Sequence, residues 1–143
     1  MADLTMSIDV AAAPERVFAI ASDIDGSPKM QPKILSVEML TPGPMRAGTK
    51  WREKRKIGSG TAEAMIEVTG FEPGKRYEFA SMSKGPGFTG EISVAAQGSG
   101  TLLSMTMRPM GFGSKIILWM MGGALKKELM DDLQCIKRAA EAR

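Results

Sequence analysis

The sequence predicts an α+β protein: a strand, two short helices, six further strands forming an antiparallel meander, and one long C-terminal helix that the sheet wraps. Three observations carry this expectation. From Ser114 to Arg143, the residues Leu118, Gly122, Leu125, Leu129, Leu133, Ile136 and Ala140 recur at steps of three and four, the period of one helix face. Upstream, successive segments alternate apolar and polar residues with the period of half-buried strands. Glycine-bearing tight turns join the later segments, which sets neighbours antiparallel. Helices segregated at the ends of such a meander define the α+β class. Burying a Leu-sized side chain contributes about 1.5–3 kcal/mol, so the helix stripe requires a large apolar partner, and the sheet supplies it.

Taken in order, Leu4, Met6, Ile8 and Val10 alternate with polar residues as a first strand. Pro14 suits the first position of a helix and Glu15 its first turn, with Val17, Phe18 and Ala21 as the apolar face. The stretch from Asp23 to Pro32, with Gly26 and Pro28 inside it, has room for a further helical turn or two. Ile34 to Leu40 reads as a strand with Leu35, Val37 and Met39 on one face. Thr41 to Gly48 is a loop. Strands then follow over Thr49 to Ile57, Thr61 to Thr69, Arg76 to Met82, Phe88 to Ala96 and Thr101 to Arg108, and Pro109 to Gly113 leads into the long helix. Gly122-Gly123 interrupts the helical pattern at a cost of about 1 kcal/mol per glycine. A continuous but bent helix is expected, the alternative being that residues 114–121 form a separate lid.

Composition bounds the function. At 143 residues, with no linker, repeat or low-complexity segment, residues 1–143 are expected to form a single domain. Charged residues are 24% and the net charge is +3, too small to argue for nucleic acid or an anionic membrane. Cys135 is the lone cysteine, so no internal disulfide forms, as in a reducing compartment. The N-terminus lacks the basic start and apolar core of a signal peptide. The apolar run Ile116 to Met121 is too short to span a bilayer. A cytoplasmic protein without a transmembrane segment is expected. There is no histidine, which removes Ser-His-Asp and Cys-His catalysis and a frequent metal ligand. Neither a metal nor another cofactor is expected.

Several motifs, in this order, resemble the START-like (SRPBCC) superfamily, in its polyketide cyclase/dehydrase-like branch. They are Ala13-Pro14-Glu15-Arg16-Val17-Phe18 with Asp23, Pro32 before Ile34 and Val37-Glu38, and Gly48-Thr49-Lys50-Trp51-Arg52. Val68-Thr69 with Phe71-Glu72-Pro73, Gly100-Thr101-Leu102, and Asp132-Leu133 with Ile136-Lys137 and Glu141 complete the set. The resemblance implies the helix-grip fold, a curved seven-stranded antiparallel sheet gripping the C-terminal helix around a cavity for an apolar or amphipathic small molecule. Ser27 departs from the pattern, where many relatives carry an aromatic residue before the proline. The superfamily includes carriers, receptors, cyclases and chaperone activators, so fold constrains shape more than chemistry.

The strand from Thr49 to Ile57 is the most informative about a site. One face carries Lys50, Arg52, Lys54 and Lys56, the other Trp51, Glu53, Arg55 and Ile57. Four unpaired cations do not enter a core, so Trp51, Glu53, Arg55 and Ile57 are expected to face the helix and cavity. Two readings follow: Glu53 and Arg55 orient a ligand's polar end, or they form a structural pair. The basic face is read as solvated, and nucleic acid is not expected as a partner because no stacking aromatics alternate with these cations. In a helix-grip protein core and cavity wall are one surface, so Tyr77, Phe79, Phe88, Met105, Met107, Trp119, Gly122 and Leu125 join the candidate ligand-binding residues. The thirteen methionines suit an adaptable apolar pocket. The expected function is binding of a small hydrophobic or amphipathic molecule: a lipid, polyketide or aromatic metabolite. A polyketide cyclase/dehydratase-type enzyme is the alternative, with acid–base work by Glu53, Arg55, Tyr77, Glu63 or Glu67. A protein-partner module, signalled by exposed apolar residues around Ile116 to Met121, is a third.

Overall fold

The alternating segments form strands and the C-terminal repeat forms one helix. The order is β1 (Leu4–Val10), α1 (Pro14–Ala21), α2 (Ser27–Met30), β2 (Ile34–Met39), β3 (Lys50–Ile57), β4 (Gly60–Glu72), β5 (Arg76–Ser81), β6 (Phe88–Gln97), β7 (Gly100–Pro109) and α3 (Ser114–Glu141). The structure is a computed structural model that describes residues 4–57, 59–81, 88–109 and 114–142, without the side chains of 57, 109 and 114–125. Strands β2 to β7 pair antiparallel with their sequence neighbours, and β1 closes onto β7, giving the order β1-β7-β6-β5-β4-β3-β2. Gly74 and Gly98 turn the chain between β4 and β5 and between β6 and β7 with φ of 73° and 60°, a region that only glycine enters freely.

Period-two alternation sorts the side chains. On β5, Tyr77, Phe79 and Ser81 are buried; on β7, Thr101, Leu103 and Met105 are. The opposite face carries hydroxyl pairs such as Ser7–Ser104 at 2.8 Å. Helix α3 lays Leu129, Leu133, Ile136 and Ala140 into the core with Val17 and Phe18 of α1. Arg16 of α1 caps the far end of α3, donating to the carbonyls of Ala140 and Ala142, both at 2.6 Å. A cation on the last carbonyls of a helix is favourable to its dipole. Glu141 in turn accepts the Ala11 amide at 2.8 Å. The Arg16 and Glu141 motif residues thus fasten α1 to α3.

Three sequence expectations are settled or corrected. Helix α3 is continuous through Gly122-Gly123, so residues 114–121 are its beginning and not a separate lid. Leu35 does not face inward: it is 48% exposed. An irregularity between Ile34 and Ser36 breaks the alternation on β2, turning Ile34 in and Leu35 out. Strand β4 runs to Glu72, beyond the expected Thr69. A second register shift between Val68 and Gly70 carries the pairing onward, and Phe71 then meets Phe18 at 6.0 Å between ring centroids. Among the described residues no helix is long and apolar enough to cross a membrane.

Gly90 permits one close approach on the inner face. It lies opposite Phe79, and a Cβ there would stand 2.5 Å from the Phe79 ring and 2.9 Å from the Thr106 carbonyl oxygen. The ring can swing aside but the carbonyl belongs to the ladder. Gly90→Ala is therefore expected to destabilise the fold by about 1–3 kcal/mol, read as a lower denaturant midpoint at unchanged slope.

Candidate functional site

Inner-facing strand residues and α3 do not close onto each other everywhere. Between them lies a cavity of about 390 Å³. Trp51, Ile66, Phe79, Ile92 and Met105 wall it from the sheet, Leu129 and Ile136 from the helix, and Ile24, Met30 and Ile34 from the segment around α2. The aromatic side chains form a connected series: Phe18 to Tyr77 at 6.4 Å, Tyr77 to Phe79 at 5.9 Å, Phe79 to Phe88 at 6.2 Å. Tyr77 is buried and its hydroxyl donates to the Ala21 carbonyl at 3.2 Å, so it ties α1 to the sheet.

One end of the cavity is polar. Alternation on β3 turns Trp51, Glu53 and Arg55 inward while Arg52, Lys54 and Lys56 stay exposed. Glu53 accepts from the Trp51 indole and from Arg55 Nε, both at 3.3 Å. Arg55 Nη1 donates to both carboxylate oxygens of Asp132, at 3.2 and 3.1 Å, and stands 3.5 Å from Glu128 Oε2. Lys33 pairs with Glu128 at 2.6 Å and with Asp131 at 3.0 Å from outside the cluster. Two buried oxygens, Gln31 Oε1 and Glu128 Oε2, accept no hydrogen bond among the described residues.

Of the residues expected at a site, Trp51, Glu53, Arg55, Tyr77, Phe79, Phe88, Met105 and Met107 all border this cavity. Trp119, Gly122 and Leu125 belong to α3, and their side chains lie outside the described ones, as do those of Ile116 to Met121. Glu67 does not reach the cavity, because it pairs with outward-facing Lys50; Glu63, opposite exposed Lys54, only borders it. Arg52 pairs with Glu38 at 2.7 Å. The outer face of β3 therefore meets acidic neighbours. Glu53 and Arg55 pair with each other, and both line the cavity. Sequence reasoning did not place Asp132, Glu128 or Gln31 at the site, whereas Ser27 had stood out as a departure from the family pattern. Asp132 sits three residues after Leu129 and four before Ile136, a spacing that places it on the buried stripe. Ser27, small and buried, borders the cavity with its hydroxyl donating to the Ile24 carbonyl at 2.6 Å.

A sheet gripping a C-terminal helix around an internal cavity defines the helix-grip class. The chain belongs to the polyketide cyclase/dehydrase and lipid transport family, whose model matches residues 1–141. No curated protein matches it. Among solved structures it is similar to a protein from Thermus thermophilus, at 17% identity and a TM-score of 0.81, covering 98% of this chain and 99% of that one. A START superfamily protein from Mycobacterium smegmatis is similar at 15% identity and TM-score 0.76, with 97% of each chain covered. The di-domain ARO/CYC StfQ from the steffimycin biosynthetic pathway is similar at 16% identity and TM-score 0.82, covering 98% of this chain and 50% of that one. At these identities the likeness is one of fold.

Electrostatics at the polar end are set by burial and by mutual pairing. Burial pushes the Asp132 carboxyl up to about 6; Arg55 opposes the shift, while Glu53 and Glu128 add to it. Burial works to lower the Arg55 guanidinium, yet Asp132, Glu53 and Glu128 outweigh it and hold it above its ordinary value. Burial, reinforced by Glu53 and Asp132, pushes the Tyr77 phenol well above its usual range. Because the folded-state value of Asp132 lies above its unfolded 3.8, the native state takes up a proton as pH falls through 6. Its ionised form costs about 3 kcal/mol at higher pH. Asp132→Asn is accordingly expected to gain up to about 3 kcal/mol relative to the native protein between about pH 4 and about pH 8. Denaturation at a series of pH values measures this slope, which is independent of any constant loss from unpairing Arg55.

Proposed function

We propose that this protein binds a small hydrophobic or amphipathic molecule, of the lipid, polyketide or aromatic-metabolite kind, in the cavity between sheet and α3. The observation that carries this reading is the volume of about 390 Å³, walled mainly by apolar side chains and polar at one end, the usual make-up of a small-molecule site. The family's description, polyketide cyclase/dehydrase and lipid transport, supports the same class of ligand. Trp51, Phe79, Phe88, Met105 and Met107 would contact the apolar body, with Tyr77 behind them. Glu53 and Arg55 would face its polar end. The lone, buried Cys135 fits a reducing, cytoplasmic setting.

N-phenyl-1-naphthylamine, a neutral probe that brightens in apolar surroundings, tests this reading. Saturable binding is expected. Ala64→Phe, which adds a ring to a half-buried wall position beside Glu53, is expected to weaken binding at least about tenfold with the folded fraction unchanged. Absence of saturable binding would remove the proposal.

A catalytic reading draws on one specific observation: Asp132, inside the cavity, has its carboxyl pushed up to about 6 by burial. A carboxyl titrating near neutral pH can both donate and accept a proton, as dehydration or cyclisation of a polyketide requires. In this reading Asp132→Asn abolishes turnover of a polyketide substrate and leaves its binding within about threefold. Turnover surviving in that variant excludes Asp132 as the acid–base group.

A further inference from the structure

We propose that the cavity selects a ligand whose polar end donates a hydrogen bond and carries no negative charge, a hydroxyl or an amine, and rejects carboxylates. This rests on the cavity being the binding site and specifies what it accepts. Among the described residues lining it, Arg55 is the single cation, against Glu53, Glu128 and Asp132, with Glu63 only at the border opposite exposed Lys54. Adding the pair just outside, Lys33 and Asp131, leaves acids in excess.

Arg55 is the group an anionic ligand would need, and it is already engaged. Its Nε serves Glu53 and its Nη1 serves both oxygens of Asp132, with Glu128 at 3.5 Å. A ligand carboxylate at this end would enter beside three carboxylates whose neutralising partner is committed to them. Like charges at such separations, away from bulk water, are strongly unfavourable.

The unsatisfied atoms point the same way. Glu128 Oε2 is buried and accepts no hydrogen bond among the described residues. An ionised carboxylate oxygen is acceptor-only, so a donor satisfies it. Gln31 Oε1 is a second such oxygen, although its amide can turn to present nitrogen instead. Glu128 therefore sets the requirement and Gln31 adapts to it. A hydroxyl or ammonium meets both groups, whereas a carboxylate meets neither and adds charge.

Three ligands that share one ring system and differ in end group test this: 2-naphthol (neutral donor), 2-naphthylmethylamine (cationic donor) and 2-naphthoate (anion). They are titrated by calorimetry near neutral pH. Naphthol, the amine, or both are expected to bind at least about tenfold tighter than naphthoate. Their order tells whether the donor is neutral or charged. Glu128→Gln, which removes the negative charge, is expected to improve naphthoate about tenfold and to weaken the amine, so that the preference for donors over the anion shrinks. Naphthoate binding as tightly as both donors in the native protein overturns the inference, as does unchanged selectivity in Glu128→Gln. So does failure of all three ligands when N-phenyl-1-naphthylamine binds, and in each of these cases the cavity stands as a binding site. Only failure of the neutral probe as well removes the binding site itself.

Discussion

Arg55 is the point at which the sheet and the C-terminal helix are held together across a space. The close backbone approaches of α3 are to β1, β7, α1 and α2. On the β3 side the tie is made by side chains, with Arg55 pairing to Asp132 and Glu128 of the helix. It gathers Glu53 from its own strand and Asp132 and Glu128 from the helix. Desolvating such a cluster is costly, and an apolar replacement often serves stability as well or better. Its value here is positional: the guanidinium fixes two helix carboxylates and one strand carboxylate around one end of a cavity. Lys33 adds a second tie from the start of β2 to the same turn of α3. An enclosure bridged in this way keeps a polar end without filling its middle.

How much of this was legible beforehand follows from what each pattern encodes. Period-two alternation on β3 separates Trp51, Glu53 and Arg55 from the cations between them, because charge cannot be buried without partners. The structure agrees on those three. The same rule fails for Leu35, since a bulge adds a residue that alternation cannot register. The sequence pattern ended the fourth strand at Thr69, ahead of the Pro73-Gly74 turn. The strand in fact persists through a register shift between Val68 and Gly70, after which Phe71 pairs with Tyr77 and Glu72 with Arg76.

Asp132 was less readable for a different reason. A helix stripe at 3.6 residues per turn admits residue 132 or 133 beside 129 and 136, and the apolar one was preferred. Only a partner on another element decides, and the Arg55–Asp132 pair is 77 residues apart in sequence. Local pattern therefore conveyed which strand face was buried, while the composition of the polar end depended on tertiary pairing. Glu128 and Gln31 are hidden in the same way: nothing in their neighbours marks a buried acceptor.

An internal space forfeits dispersion contacts along its whole lining, so the fold must be secured elsewhere. Among the most completely buried side chains, Val10, Val17, Leu103, Thr101 and Leu133 join β1, β7, α1 and α3, and Val68 and Thr49 add buried points on β4 and beside the start of β3. Arg16 and Glu141 clamp the same region from the ends of the two helices. The molecule thus divides into a densely packed end and an open end. At the open end the walls are propped by Tyr77 on Ala21, by Phe79 over Gly90 and by Arg55 among its carboxylates. Substitutions at the packed end act on whether the protein folds. Those at the open end, such as Gly90→Ala and Asp132→Asn, act on stability as well, and they also alter the walls and the charge of the cavity.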